Sequence, residues 1–132
     1  MLQDEYRKAR KLGEKAYRKA VLAKKYPYLP ALDGLLKNRD SIREEAQGIC
    51  EIPISLVFGT VTQGRQQAFA NNYMPLLSPD SEFAAKWINV YDWQTSEGIQ
   101  DPIEAYEFMG KFYVAEGNKR VSVMRYLKQP VI

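Results

Sequence analysis

Histidine is absent from this 132-residue chain, and cysteine occurs once, at Cys50. Without an imidazole there is no histidine-based acid/base relay and no histidine ligand for a metal. With one thiol there is neither an internal disulfide nor a cysteine-built zinc site. Long apolar runs are also missing. Nothing approaches the roughly 20 consecutive apolar residues of a membrane helix, and no stretch has the order of a secretory signal. No internal repeat or low-complexity segment is present. These absences lead to the expectation of a cytoplasmic protein with no haem, no zinc and no membrane insertion. What is there, 45% hydrophobic and 27% charged residues, suffices for one compact domain to bury its own core.

The net charge of +3 is unevenly placed. Residues 1–25 hold nine Lys/Arg against three Asp/Glu, a net of +6, which leaves ten basic and thirteen acidic residues, a net of −3, for the rest. Tyr6, Ala9, Ala16, Ala20 and Val21 recur at helical spacing between Gln3 and about Lys25, with Arg7, Lys8, Lys11, Lys15 and Arg18 largely between them. The segment reads as an amphipathic helix whose basic side suits DNA or another anionic surface, though with no Arg-rich run and interleaved aromatics beyond it a solvated outer face is the favoured reading. Pro27 and Pro30 stop it. Short helical pieces are expected up to Gly48, which makes residues 1–48 an N-terminal helical arm and residues 49–132 the domain proper.

In the second part, Ile52, Ile54, Leu56 and Phe58 alternate as the buried face of a strand, with Pro53 at its start or edge. Residues 66–77 read as a helix with Ala68, Phe69, Tyr73 and Leu76 inward. A second helix has Ser78 as its N-cap, Pro79 at its first position, Gly98 as its stop, and Phe83, Trp87, Ile88 and Tyr91 on one face. Residues 101–117 read as a hairpin turning at Met109-Gly110, although Asp101-Pro102 would also open a helix; the short, aromatic and β-branched run 111–115 favours the hairpin. A helix comes next with Val121, Met124 and Leu127 three apart, and Pro130-Val131-Ile132 looks like the start of a further strand. That apolar end gives the expectation of a longer protein.

The break between the last hairpin strand and the last helix is Glu116-Gly117-Asn118-Lys119-Arg120. A strand, a glycine and a helix start bring backbone N–H groups and about half a positive charge of helix dipole to one place, where anions bind. Gly117 lets the backbone turn with positive φ, Asn118 can cap the helix, and Lys119 and Arg120 add formal charge, Arg120 with a fork that matches phosphate. The alternative is a plain turn with two solvated cations. Gly64 and Arg65 have the same grammar, after the first strand and before a helix.

Taken in order, Gln63-Gly64-Arg65 after a strand, Gly98-Ile99-Gln100-Asp101-Pro102-Ile103 leading into a strand, and Gly117-Asn118-Lys119-Arg120 between strand and helix resemble the ParB/sulfiredoxin superfamily. The resemblance covers about residues 51–132. Gly64 stands where that family often has proline, Asp101 is an insertion, and Gly117 and Arg120 match both ends of the family's Gly-x-x-Arg motif. The whole chain also resembles the N-terminal region of longer bacterial proteins. The fold implied is an α/β (α+β) one, a small mixed sheet with flanking helices. The function implied is nucleotide binding, CTP or ATP with Mg2+, at Gly117, Asn118, Lys119 and Arg120, with Gly64 and Arg65 approaching from the other loop and a slow NTPase switch as one outcome. Glu116 would orient magnesium or act as a base, as acidic residues do in free-serine kinases of this fold; an exposed strand-end carboxylate is its other reading.

Departures from the family matter as much. Sulfiredoxin chemistry needs a cysteine where Asn118 stands, and an amide cannot act as that thiolate. ParB proper has a glutamate there and is followed by DNA-reading helices that this sequence does not contain. Neither a carboxylate cluster for two metals nor a basic recognition helix is present, so a nuclease is not supported. A DNA-binding module acting through the first helix, and a non-enzymatic scaffold docking a partner or a second copy as a homodimer, stand as the alternatives.

Overall fold

A computed structural model describes residues 2–32, 48–98 and 102–132, with the side chains of Gln63 and Arg65 outside that description. The expected helical pieces between 33 and 47, and the Ile99-Gln100-Asp101 segment, therefore lie outside the described residues. Among the described residues no helix is long and apolar enough to cross a membrane.

Helix α1 (Leu2–Leu22) forms where the basic amphipathic pattern predicts it, with Asp4 and Glu5 in its first turn complementing the dipole. Tyr6, Ala9, Gly13 and Ala20 are its buried residues, while Val21, expected inward, is half exposed. Lys24, at φ 58°, turns the chain out of the helix, and the Lys25 amide donates back to the Ala20 carbonyl at 2.8 Å. Gly13 is where α1 crosses the Met74-Pro75 segment: a Cβ there would lie 2.4 Å from the Pro75 carbonyl oxygen. Alanine at position 13 would gain about 1 kcal/mol of helix propensity and lose about 1–3 kcal/mol to overpacking against a backbone that cannot rotate away. Gly13→Ala is thus expected to lower stability by about 1 kcal/mol in denaturant titration, against the helix-propensity trend.

Strand β1 (Val57–Thr60) is shorter than the alternation predicts and opposite in phase. Pro53 starts a 3₁₀ turn over Ile54–Leu56, which uses up residues counted as strand, so Val57 is fully buried while Leu56 and Phe58 are exposed. Ile52 remains inside and exchanges both backbone hydrogen bonds with Ile132. The helix expected over 66–77 is not there. A 3₁₀ turn at Gln63–Ala68 leads into a tight loop closed by an Ala70 to Met74 backbone bond, with the Asn72 side chain accepting from the Met74 amide and Tyr73 at φ 69°. The Asn side chain offers the backbone an alternative to helix, and Pro75 removes a donor. Phe69 and Tyr73 are buried all the same.

Helix α2 (Glu82–Ser96) is capped by Ser81, whose Oγ accepts from the Ala84 amide at 3.1 Å, three residues later than expected. Ser78 instead closes the preceding turn, its carbonyl accepting from the Ser81 amide and hydroxyl. Gly98, at φ 80°, ends the helix with its amide on the Trp93 carbonyl. Strands β2 (Glu104–Phe108) and β3 (Lys111–Glu116) form the expected hairpin, with Met109 and Gly110 both at positive φ, as a type I′ turn requires. Helix α3 (Asn118–Tyr126) comes after β3.

The sheet order is β1-β3-β2, with β1 parallel and β2 antiparallel to β3, so the architecture is mixed α+β with three α-helices and three strands among the described residues. One part of the core joins Leu29, Val57, Phe69, Tyr73, Val114 and Val121 between the sheet and α3. The other holds the three helices together around Trp87, with Tyr6, Ala9 and Val123. Trp87 donates to Ser122 Oγ at 2.8 Å, with Tyr6 edge-on at 5.4 Å and Tyr91 stacked at 5.8 Å. Burial pushes the Tyr6 hydroxyl up to about 12, and it donates to the Leu77 carbonyl.

Candidate functional site

Parallel pairing of β1 with β3 sets the geometry. Both strands run the same way, so the segments that leave their C-terminal ends, the 63–68 turn and the start of α3, lie at one edge of the sheet. In open α/β sheets that carboxyl edge is where ligands sit, and here it also carries the positive end of a helix dipole.

Gly117 makes the corner. Its φ of 110° and ψ of 23° fall on the left-handed side of the map, and a Cβ would meet Ile103 Cγ2 at 2.5 Å. The first α3 hydrogen bond runs from the Val121 amide to the Gly117 carbonyl, so Gly117 and not Asn118 occupies the cap position. Asn118 is the first helical residue and its side chain is turned inward. Its Nδ2 donates to Thr60 Oγ1 at 3.1 Å, and its Oδ1 lies 2.8 Å from the Tyr73 hydroxyl. That hydroxyl is also 2.8 Å from the Gly59 carbonyl oxygen and shares its one proton between the two acceptors. Thr60 Oγ1 passes the chain on to the Val114 carbonyl at 3.2 Å. Burial drives the Tyr73 pKa far above its ordinary value, so the ring stays a neutral donor. The start of α3 is thereby fastened to the end of β1 by a closed set of buried hydrogen bonds.

The remaining expected site residues fall around this corner. Lys119 is half-buried, its Nζ 5.1 Å from the centre of the Phe83 ring, and Arg120 is half-buried in the same first turn. Glu116 is exposed at the end of β3, directly across from Glu104 of β2. Gly64 is exposed in the 63–68 turn, with open space where a Cβ would be, so nothing in the backbone demands glycine there. Arg65 belongs to the same turn; its side chain is outside the described part of the molecule. Cys50 is exposed. Among the described residues no three of His, Cys, Asp and Glu gather as a metal-binding group. Apart from the Asn118, Thr60 and Tyr73 oxygens, which are engaged in the buried hydrogen bonds, the oxygen donors near the corner among the described side chains are the Glu116 and Glu104 carboxylates. Those suit a hard, largely hydrated cation such as magnesium better than a fully protein-ligated one.

Two residues that shape this corner, and Arg125 at the other end of α3, carry no sequence signal of their roles. Thr60 and Tyr73 hold Asn118 from 58 and 45 positions away. Arg125, in the last turn of α3, looks like a solvated cation and instead reaches under the sheet, donating to the carbonyls of Ile54 at 3.0 Å and Val57 at 2.6 Å with its guanidinium 5.5 Å from the Tyr73 ring centre. Its pKa is lowered by burial. Comparison with family models, with curated proteins and with solved structures finds no match to this chain, so a functional reading rests on these residues and their arrangement.

Proposed function

We infer that the chain binds a phosphate group, as a nucleotide carries it, at the Gly117–Arg120 corner, in the manner of a ParB/sulfiredoxin-type domain. The observation that carries this reading is the shared edge: the chain leaves β1 toward the 63–68 turn, and leaves β3 into the N-terminus of α3, at the carboxyl ends of two paired parallel strands. Lys119 and Arg120 bring formal charge to the same helix turn, and Gly117, at φ 110°, makes the bend that starts the helix there. Asn118 contributes through its backbone and by holding the corner rigid, since its amide group is spent on Thr60 and Tyr73. Glu116 is the residue that would hold magnesium, which would supply charge neutralisation for the phosphate. A slow NTPase switch is the catalytic form of this reading, with Glu116 placing the attacking water. Sulfiredoxin activity is not proposed, because position 118 supplies no thiol.

The test is thermal unfolding of wild type and Arg120→Ala with CTP, ATP, GTP and their diphosphates, with and without magnesium. A ligand at one hundred times its Kd is expected to stabilise wild type by about 2.7 kcal/mol and to leave Arg120→Ala almost unmoved. A folded protein that shifts with none of these ligands would sink the nucleotide reading.

A further inference from the structure

A second feature lies on the α1 side of the 63–68 turn; it shares that turn with the proposed phosphate site, but no residue of 116–120 lines it. α1, Tyr28, the turn and Leu77 enclose an open groove of about 590 Å³, lined by Glu14, Tyr17, Arg18, Gln67 and neighbouring apolar surface. Its aromatic wall is a cluster: Tyr17 and Tyr28 have ring centres 5.6 Å apart, and Tyr26 lies 5.8 Å from Tyr28. The cluster is held in place by Gln66, whose Nε2 donates to the Tyr26 hydroxyl at 2.6 Å and to the Leu29 carbonyl at 2.9 Å. Tyr17 and Tyr28 stay partly open to solvent, and Tyr26 is more than half exposed.

Arg18 lines the groove, and the exposed side of α1 that leads away from it is cationic. At 100° per residue, Arg7, Lys11 and Arg18 fall on one stripe of α1 beside Glu14 and Tyr17, and the stripe lies open to solvent along its length. From Arg7 to Arg18 the helix rises about 16 Å. Between residues 7 and 25 there are nine Lys/Arg and a single acid, Glu14, which is ion-paired with Arg10 at 3.7 Å. Arg7 has an exposed pair with Asp4 at 3.8 Å, a contact that a stronger anion displaces at little cost.

A row of cations beside fixed aromatic rings fits one kind of ligand better than others. A simple anion or a duplex would use the cations and leave the rings idle, and an acidic peptide lacks flat groups at regular intervals. A polyanion that also offers flat apolar rings uses both. We propose that this groove binds a short stretch of single-stranded nucleic acid, with bases against Tyr17 and Tyr28 and phosphates along Arg7, Lys11 and Arg18.

The experiment is fluorescence anisotropy of the whole chain with labelled oligothymidylate and oligouridylate of about twelve nucleotides, a duplex of equal length, and a polyglutamate-tyrosine peptide as competitor. Three phosphate contacts to a single strand give a salt slope of about −2, so binding should weaken roughly 20-fold when salt rises fourfold. Lys11→Gln with Arg18→Gln should flatten that slope to about −0.7. Tyr17→Leu should weaken single-strand binding about tenfold or more, while Tyr17→Phe, which keeps the ring, should leave it near wild type. Arg120→Ala should leave it unchanged, which separates failure of this groove from failure of the phosphate corner. Three outcomes would overturn the proposal: no binding by a folded protein at low salt, a duplex bound as tightly with Tyr17→Leu unaffected, or displacement by the acidic peptide at equal charge concentration.

Discussion

Gly117→Ala is expected to cost about 3 kcal/mol of stability, roughly 10 °C in midpoint for a domain of this size, and to do so with no ligand present. Two separate penalties combine. An L-residue held at the φ of 110° seen here gives up about 1–2 kcal/mol of backbone energy, and the new Cβ must displace Ile103 Cγ2 from 2.5 Å, an overpacking cost of about 1–3 kcal/mol. Ile103 is half-buried against the main core, so moving it away from the new Cβ means giving up part of that packing. The two parts can be separated by Ile103→Ala, which opens the space and leaves the backbone problem. In the double variant the steric part should vanish, giving a coupling of about 1–2 kcal/mol in the favourable direction. A Gly117→Ala protein within about 0.5 kcal/mol of wild type would show that neither the torsion nor the contact constrains the corner. One consequence bears on the nucleotide reading. Because Gly117 is required by the fold, loss of ligand binding in a Gly117 variant carries no information about phosphate contact, and Arg120→Ala is the informative change.

The parts of this fold that were legible in the sequence are those decided within a short window. Met109-Gly110 between aromatic and β-branched runs predicts the hairpin, because the two positive φ values of a type I′ turn are a local demand. The stripes of α1 and α2 were legible for the same reason, with Tyr6, Ala9 and Trp87 inward as their spacing requires. What was not legible depends on partners far along the chain. The loop at 69–76 has local causes in Asn72 and Pro75, but the inward place of its Tyr73 is set by Gly59 and Asn118, 14 and 45 positions away. Asn118 has every local mark of a helix cap, and loses that role because Thr60 and Tyr73 give its amide group partners inside. Gly59 looks like a weak point in a strand, yet a Cβ there would lie 2.0 Å from the Pro30 carbonyl oxygen. Of the candidate site, the run from Glu116 to Arg120 is contiguous and needed no fold to be recognised. Its join to the end of β1, through Asn118 and Thr60, is a product of the parallel register of β1 and β3, which no window of sequence contains.

Arg125 sets two large and opposed effects against each other, and its replacement decides between them. Taking a guanidinium partly out of water is costly, the Nε of this one has no hydrogen-bond partner among the described residues, and buried charges are often replaced by apolar side chains without loss. Against that stand two charge-assisted hydrogen bonds, at 3.0 Å to Ile54 and 2.6 Å to Val57, each of a kind worth about 1.5–3 kcal/mol, and the face of Tyr73. Ile54's carbonyl also accepts from the Val57 amide, so the bond to the Val57 carbonyl is the one whose loss counts most. Part of the side chain's penalty is already relieved by its remaining contact with solvent, since Arg125 is only partly buried. The hydrogen bonds therefore win, and Arg125→Met, which keeps an unbranched stem but no donors, is expected to lose about 2 kcal/mol in denaturant titration. Arg125→Ala should lose about 3 kcal/mol, the additional amount being the packing of the stem against Tyr73 and β1. Arg125→Lys should fall between wild type and methionine, because a point charge on a flexible chain serves one carbonyl and cannot lie flat on the ring. A methionine variant as stable as wild type, or more so, would mean that desolvation outweighs both bonds and that this arginine is held in place at a net cost to the fold.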